Sequence, residues 1–369
     1  MTALPRTADE FTADWLNAAL TESGVLGDHR VKSVSVLDSD IPGQTAEVAR
    51  LEVEYDRSDC PLPARIIAKY TSRNQTVIES VINAYQQYWR ETSSYAEFPD
   101  IGIARPNCLY SRFVPDSQEF VLLMNDLAPA QSPSWASSPA QVKVAAAALP
   151  GMHARRWNSA LLREKDWLVQ FDNRDFFRIA AQAAVASLPK VQEVFGDAAS
   201  VSCELMQTHA RQIEENVDFF ATRPFTLVHG DYHPKQMFFP TDAGGEFAVI
   251  DWQFSFVAAG AWDLARIVTV GQDADTRRRV EGELLGDYLE GLKQHGVTGY
   301  TRDDLETDFR FGIFVNQMIM TIATGDTDIE LVRKECSDIG VDFADVVLLR
   351  GEAAARDWDV PGLMKEIVA

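Results

Sequence analysis

Five stretches of the chain either alternate apolar with polar residues or concentrate β-branched and aromatic side chains: residues 31–37, 46–55, 65–70, 108–113 and 120–124. Each reads as a strand. Residues 77–94, after the third stretch, carry apolar positions at helical spacing, so the first third of the chain predicts a mostly antiparallel five-stranded sheet with one inserted helix. From Pro139 onward the period changes to 3.6: residues 139–149, 175–188, 199–221, 276–295, 302–324 and 329–350 predict helices. Three short apolar runs, 225–229, 236–239 and 246–251, interrupt them, the last two flanking a turn at 241–245. Between the two regimes, residues 126–138 are rich in Pro, Ser and Ala and lack periodicity. The pattern therefore predicts an α+β chain with a small antiparallel-sheet N-lobe (1–126), a linker (127–138) and a mainly helical C-lobe (139–369).

Composition agrees with two packed units. The 369 residues are 46% apolar and 24% charged, which excludes a disordered or fibrous chain. The net charge of −21 is spread along the sequence, which disfavours nucleic acid or an anionic membrane as partner and favours a cationic small molecule. No run of about 18 apolar residues is present to span a bilayer, and Arg6, Asp9 and Glu10 interrupt the opening segment, so a cytoplasmic location is expected. Cys60, Cys108, Cys203 and Cys336 are widely spaced without CxxC pairs and read as reduced thiols.

The short apolar runs hold the candidate chemistry. Residues 225–229 form a buried strand that delivers Asp231 into a loop, and 247–250 deliver a second carboxylate, Asp251, in the same way. Two carboxylates and an amide at strand ends suit phosphoryl transfer, in which hard oxygen ligands hold Mg²⁺ and a separate carboxylate orients the attacking hydroxyl. Such chemistry also needs a cation and a flexible turn for the phosphates. Lys69 ends an apolar strand, and Gly43 lies in a Pro-Gly-Gln-Thr turn. The same segment admits a second reading, with His229, Asp231 and His233 as metal ligands of a hydrolase and Asp251 bridging.

The ordered series His229-Gly-Asp231-x-x-x-x-Gln236, Ile250-Asp251-Trp252-Gln253 and Ala261-Trp262-Asp263-Leu264-Ala265 resembles the superfamily of aminoglycoside phosphotransferases, choline kinases and ecdysteroid-kinase-like proteins. The resemblance implies a two-lobed protein-kinase-like fold and transfer of the γ-phosphoryl of ATP or GTP, with Mg²⁺, to a small-molecule hydroxyl. By it, Asp231 is the catalytic base, Asp251 the principal magnesium ligand, Lys69 the partner of the α/β-phosphates, and Glu91 the helix carboxylate that holds Lys69, with Glu79 as the alternative. The stretch from Phe120 to Leu127 resembles the last strand and the hinge, so the backbone around Asn125 and Leu127 would meet adenine, and Gly43 would approach phosphate. Gln236 stands where the family's second magnesium ligand is normally Asn, and Gly43 is alone where several glycines are usual. Those two departures define a third reading, a pseudokinase that binds nucleotide without turnover. Asp263 is expected to brace the catalytic loop through backbone hydrogen bonds, and His229 and His153 to be packed interior histidines.

Overall fold

Strands β1 (Val31–Asp38), β2 (Ala46–Tyr55), β3 (Arg65–Thr71), β4 (Cys108–Val114) and β5 (Glu119–Asn125) form one sheet in the order β1-β2-β3-β5-β4, every neighbouring pair antiparallel. The structure is a computed structural model that describes residues 3–38, 45–74, 78, 85–326 and 328–369. Gly43 and Glu79 lie outside the described residues. The period of two decides what each face of the sheet meets. On β3, Ile66, Ala68 and Tyr70 point into a core shared with Ala49, Leu51 and Val53 of β2, Val121 and Leu123 of β5, and helix α1 (Ala13–Glu22). Helix α1 was not anticipated from the pattern; Thr12 caps it by accepting from the Trp15 amide at 3.2 Å. It buries Trp15, Leu16 and Leu20, each contributing about 1.5–3 kcal/mol. The alternate residues, Lys69 on β3 and Phe120 and Leu122 on β5, take the opposite face, where Tyr88 of helix α2 (Gln87–Glu97) stacks on Phe120 at 3.9 Å.

The rest of the chain is mainly helical. Helix α3 (Pro139–Ala154) opens on a Ser138/Gln141 capping box and continues past Pro150 for a further turn. Helix α4 (Arg174–Phe195) likewise runs through Pro189. The single helix expected over 199–221 is two, α5 (Ser200–Arg211) and α6 (Ile213–Ala221), because Gln212 leaves the helical region at φ −130°, ψ 39° and its side-chain amide bonds the Met364 carbonyl at 2.8 Å. Beyond strands β6 (Thr226–Val228) and β7 (Phe256–Ala258), which pair antiparallel, come α7 (Ala261–Val270), α8 (Ala274–Gln294) and α9 (Arg302–Asp326). The expected helix over 329–350 also divides. Helix α10 (Ile329–Asp338) stops before Gly340, whose φ of 72° is a left-handed conformation that ends the helix, and a π-helical turn (Asp345–Leu349) leads into α11 (Arg350–Asp357) and α12 (Val360–Glu366).

The chain divides into two compact units. One comprises Met1–Asp100, Ala104–Gln131 and Pro240–Phe254, and the other Ile101–Ile103, Ser132–Phe239 and Ser255–Ala369. The division is not sequential: Pro240–Phe254 belongs with the sheet and not with the helices on either side of it in sequence, which a boundary-by-composition reading of 139–369 as one block does not describe. Among the described residues, no helix is long and apolar enough to cross a membrane.

Candidate active site

In the sheet unit, three charged side chains meet. Lys69 Nζ donates to Glu91 Oε1 at 2.8 Å and Oε2 at 2.7 Å, and to Asp251 Oδ1 at 2.5 Å. Glu91 is 1% exposed and Lys69 only 12%. Each partner is placed by its element. Strand alternation turns Lys69 away from the α1 core, and α2, pinned by the Tyr88 hydroxyl to the Thr45 carbonyl at 2.6 Å and to the Ser72 amide at 3.0 Å, presents Glu91. Asp251 follows the two-residue strand Ala248–Val249 and sits at φ 68°, an uncommon conformation for a residue with a Cβ. Gln253 donates to Asp251 Oδ2 at 3.2 Å and accepts from the Thr45 hydroxyl at 3.0 Å. Burial pushes the Glu91 carboxyl up to about 7, Lys69 opposing and Asp251 reinforcing. For Lys69, burial acts downward but is outweighed by the two carboxylates, which hold the ammonium above its ordinary range.

In the helical unit, buried strand β6 runs into His229, Gly230 and Asp231. Gly230 has φ 82°, a turn that a side chain would strain, and it swings the chain so that Asp231 follows a fully buried strand yet stays partly open at 14% exposure. Helix α7, all ten residues of which are buried, fixes this turn. Asp263 accepts from the His229 amide at 2.7 Å and the Gly230 amide at 2.9 Å, and His153 Nε2 lies 3.3 Å from its Oδ2 while His153 Nδ1 lies 2.8 Å from the Tyr288 hydroxyl. Asp263 is therefore the brace of the loop, and His153 a satisfied interior histidine. His229 is fully buried, its Nδ1 accepting from the Asp231 amide at 3.3 Å.

Asp231 itself is held at both oxygens. Arg266 Nη2 donates to Oδ1 at 2.8 Å; His233 Nε2 lies 3.2 Å and Gln236 Nε2 3.4 Å from Oδ2. Burial alone raises the Asp231 carboxyl, but His233 and the Arg266 guanidinium more than reverse this and hold it well below the usual carboxylate range. Burial lowers His233 while the Asp231 carboxylate opposes this, and Arg266 supplies a fixed positive charge beside the pair. The His233 ring stacks on Trp135 at 4.5 Å.

A carboxylate kept ionised at a buried strand end, and a lysine held between a helix glutamate and a loop aspartate, are the groups that phosphoryl transfer requires. The model of the phosphotransferase enzyme family (APH) matches residues 111–304. The chain belongs to this family. Two solved structures share its fold: the choline kinase of Cryptosporidium parvum Iowa II, at TM-score 0.52 and 11% identity over 91% of this chain and 94% of that one, and the ethanolamine kinase of Plasmodium vivax, at TM-score 0.50 and 12% identity over 90% and 83%. The fold is thus the protein-kinase-like α+β fold of small-molecule phosphotransferases. No curated protein matches the sequence.

Among the residues singled out from this phosphotransferase's sequence, the structure brings Lys69, Glu91 and Asp251 together, and Gln236 to Asp231. Asn125 ends β5, its Oδ1 accepting from the Asn107 amide at 2.6 Å, and the Leu127 carbonyl accepts from the Ala130 amide at 3.0 Å. Asp251, in the sheet unit, offers a carboxylate already facing one cation, the kind of donor a hard divalent cation takes, and Gln236, in the helical unit, carries an amide oxygen. Among the described residues no three His, Cys, Asp or Glu side chains form a metal-holding group, which zinc would need and magnesium, bound by one or two carboxylates and substrate phosphate, does not. Family membership and the use of His233 Nε2 on Asp231 displace the hydrolase reading. Sequence reasoning missed Arg266; its only signal was position, one helical turn after Asp263 on the same face.

Proposed function

We propose that this phosphotransferase moves the γ-phosphoryl group of ATP or GTP to a hydroxyl of a small cationic alcohol. The observation that carries the reading is the Asp231 carboxylate, which ends a buried strand, stays partly open, and is kept ionised by Arg266. In the transfer, the acceptor hydroxyl gives its proton to Asp231 while its oxygen bonds to the γ-phosphorus. The bond from that phosphorus to the β–γ bridging oxygen breaks, and its electron pair leaves with the nucleoside diphosphate. Lys69, positioned by Glu91, meets the phosphates, and the backbone at Asn125 and Leu127 meets the base. Asp251 and Gln236 would hold magnesium, which offsets phosphate charge.

A cationic acceptor is supported by the net charge of −21 and by the choline and ethanolamine on which the two fold relatives act. The test is nucleoside diphosphate release from ATP or GTP over a panel of choline, ethanolamine, amino sugars and aminoglycosides. Acceptor-dependent release is expected, falling by on the order of 10²–10⁴ in Asp231→Asn, the usual worth of a general base. Nucleotide-dependent thermal stabilisation with no turnover on any acceptor would favour the pseudokinase reading, and full activity in Asp231→Asn would remove the base assignment.

A further inference from the structure

Arg266 is 3% exposed and lies on α7, one turn beyond the residue that braces the catalytic loop. Only its Nη2 is employed in the ion pair with Asp231 Oδ1; Nε and Nη1 are buried without a hydrogen-bond partner among the described residues. A helix whose other residues, Asp263 and Thr269 apart, are apolar thus buries a guanidinium for a single hydrogen bond. Such a group is costly for a fold to keep, and what it touches is the carboxylate assigned as the base. The two oxygens of that carboxylate are unlike. Oδ1 takes a short bond, 2.8 Å, from a guanidinium, whereas Oδ2 has two longer contacts, 3.2 Å to the His233 ring nitrogen and 3.4 Å to the Gln236 amide nitrogen. The charged bond withdraws more electron density, so Oδ2 is the more basic oxygen.

We propose that Arg266 is a positioning residue for the transfer: it locks Asp231 by Oδ1 and thereby makes Oδ2 the oxygen that receives the acceptor proton. This rests on the reading of Asp231 as the base. Helix α7 then fixes the loop at two points, its main chain through Asp263 and its reacting side chain through Arg266. Among the described residues Asp231 is the side chain to which Arg266 donates a hydrogen bond, so its effect on turnover is expected to run through Asp231, and that claim is testable without knowing the natural acceptor.

The experiment is a double-mutant cycle. Arg266→Met, Asp231→Asn and the double variant are compared with the wild type by urea denaturation and by ADP release with choline or ethanolamine, whichever is turned over. Arg266→Met should lower kcat on the order of 10²-fold, the usual cost of a misplaced reacting group, with the KM for ATP nearly unchanged. Arg266→Lys should recover part of the loss. In the Asp231→Asn background, Arg266→Met should cost no further turnover, and its effect on the urea midpoint should shrink, since the charge it served is gone. Equal effects in both backgrounds, or an unchanged kcat, overturn the inference, as does midpoint coupling without any change in kcat, which makes Arg266 merely structural. If Arg266→Met does not fold, Arg266→Lys carries the same cycle. Denaturation coupling is measured with no acceptor at all, and its absence overturns the clamp. Failure of the base assignment is read separately, from an Asp231→Asn protein that turns over normally.

Discussion

Removal of the Asp263 carboxylate tests how the catalytic loop is built. Its two oxygens accept from the amides of His229 and Gly230 at 2.7 and 2.9 Å, and all three residues are buried. Asp263→Ala leaves both amides without an acceptor. Each orphaned buried donor costs about 1–3 kcal/mol, so the variant should lose about 2–6 kcal/mol, a large part of the 5–15 kcal/mol typical of a domain. Asp263→Asn keeps one acceptor oxygen and turns an NH₂ toward the other amide, so about half that loss is expected. Urea denaturation measures both: the midpoint should fall in the order wild type, Asn, Ala, with the slope unchanged. Turnover should fall in the same order, because the amides set the turn that presents Asp231. An Asp263→Ala protein within about 0.5 kcal/mol of wild type, the range of an ordinary surface change, would show that the loop holds itself.

Lys69→Met should weaken ATP more than adenosine in a thermal-shift titration, since the lost charge meets phosphate; equal losses would make Lys69 a folding residue. Asp251→Ala should abolish the magnesium-dependent part of the ATP shift. Gln236→Ala should cost much of the turnover, Gln236→Asn should be partly active, and manganese should support turnover at least as well as magnesium; normal magnesium-supported turnover in Gln236→Ala would make the residue a spectator. His209 is fully buried, its ring Nδ1 lies 2.6 Å from the Asn216 amide nitrogen, and burial lowers it to about 4. The unfolded ring protonates near pH 6.5 while the folded one does not, so stability should fall as the pH falls from about 6.5 to 4, by up to about 3 kcal/mol, and level off below. His209→Gln should remove that part of the slope, and an identical pH profile of the urea midpoint in the two proteins would refute it.

What the sequence disclosed follows from which forces are local. Strand alternation is local, and it sufficed to put Lys69 on the face of β3 opposite Ile66, Ala68 and Tyr70. The apolar run into Asp231 marked a buried strand end. Helix breaks are different, because distant contacts decide them: Gln212 departs from the helix where its side chain meets Met364, 152 residues away. Arg266 was hidden for a related reason. In Ala261–Val270 every residue is buried, so polarity no longer separates an inner from an outer face, and a charged residue there is recognised only once its partner is known. The contribution of Pro240–Phe254 to the sheet unit was equally outside any reading by composition.

The two charged groups differ in a way that fits the proposed chemistry. The Asp231 carboxylate and the Arg266 guanidinium sum to zero charge, so their burial is balanced without outside help. A base benefits from such an arrangement, since its carboxylate stays ionised and in place through the cycle. Lys69 faces two carboxylates, Glu91 and Asp251, which leave one excess negative charge when both are ionised, and burial pushes the Glu91 carboxyl up to about 7. Such a group is short of positive charge until a further cation arrives. On the proposed reading, nucleotide, bringing several negative charges of its own, would enter together with that cation, and Lys69 would exchange Asp251 for phosphate while keeping Glu91. Balance suits a group proposed to remain constant, and imbalance suits one proposed to take up metal-bound nucleotide and release it after transfer.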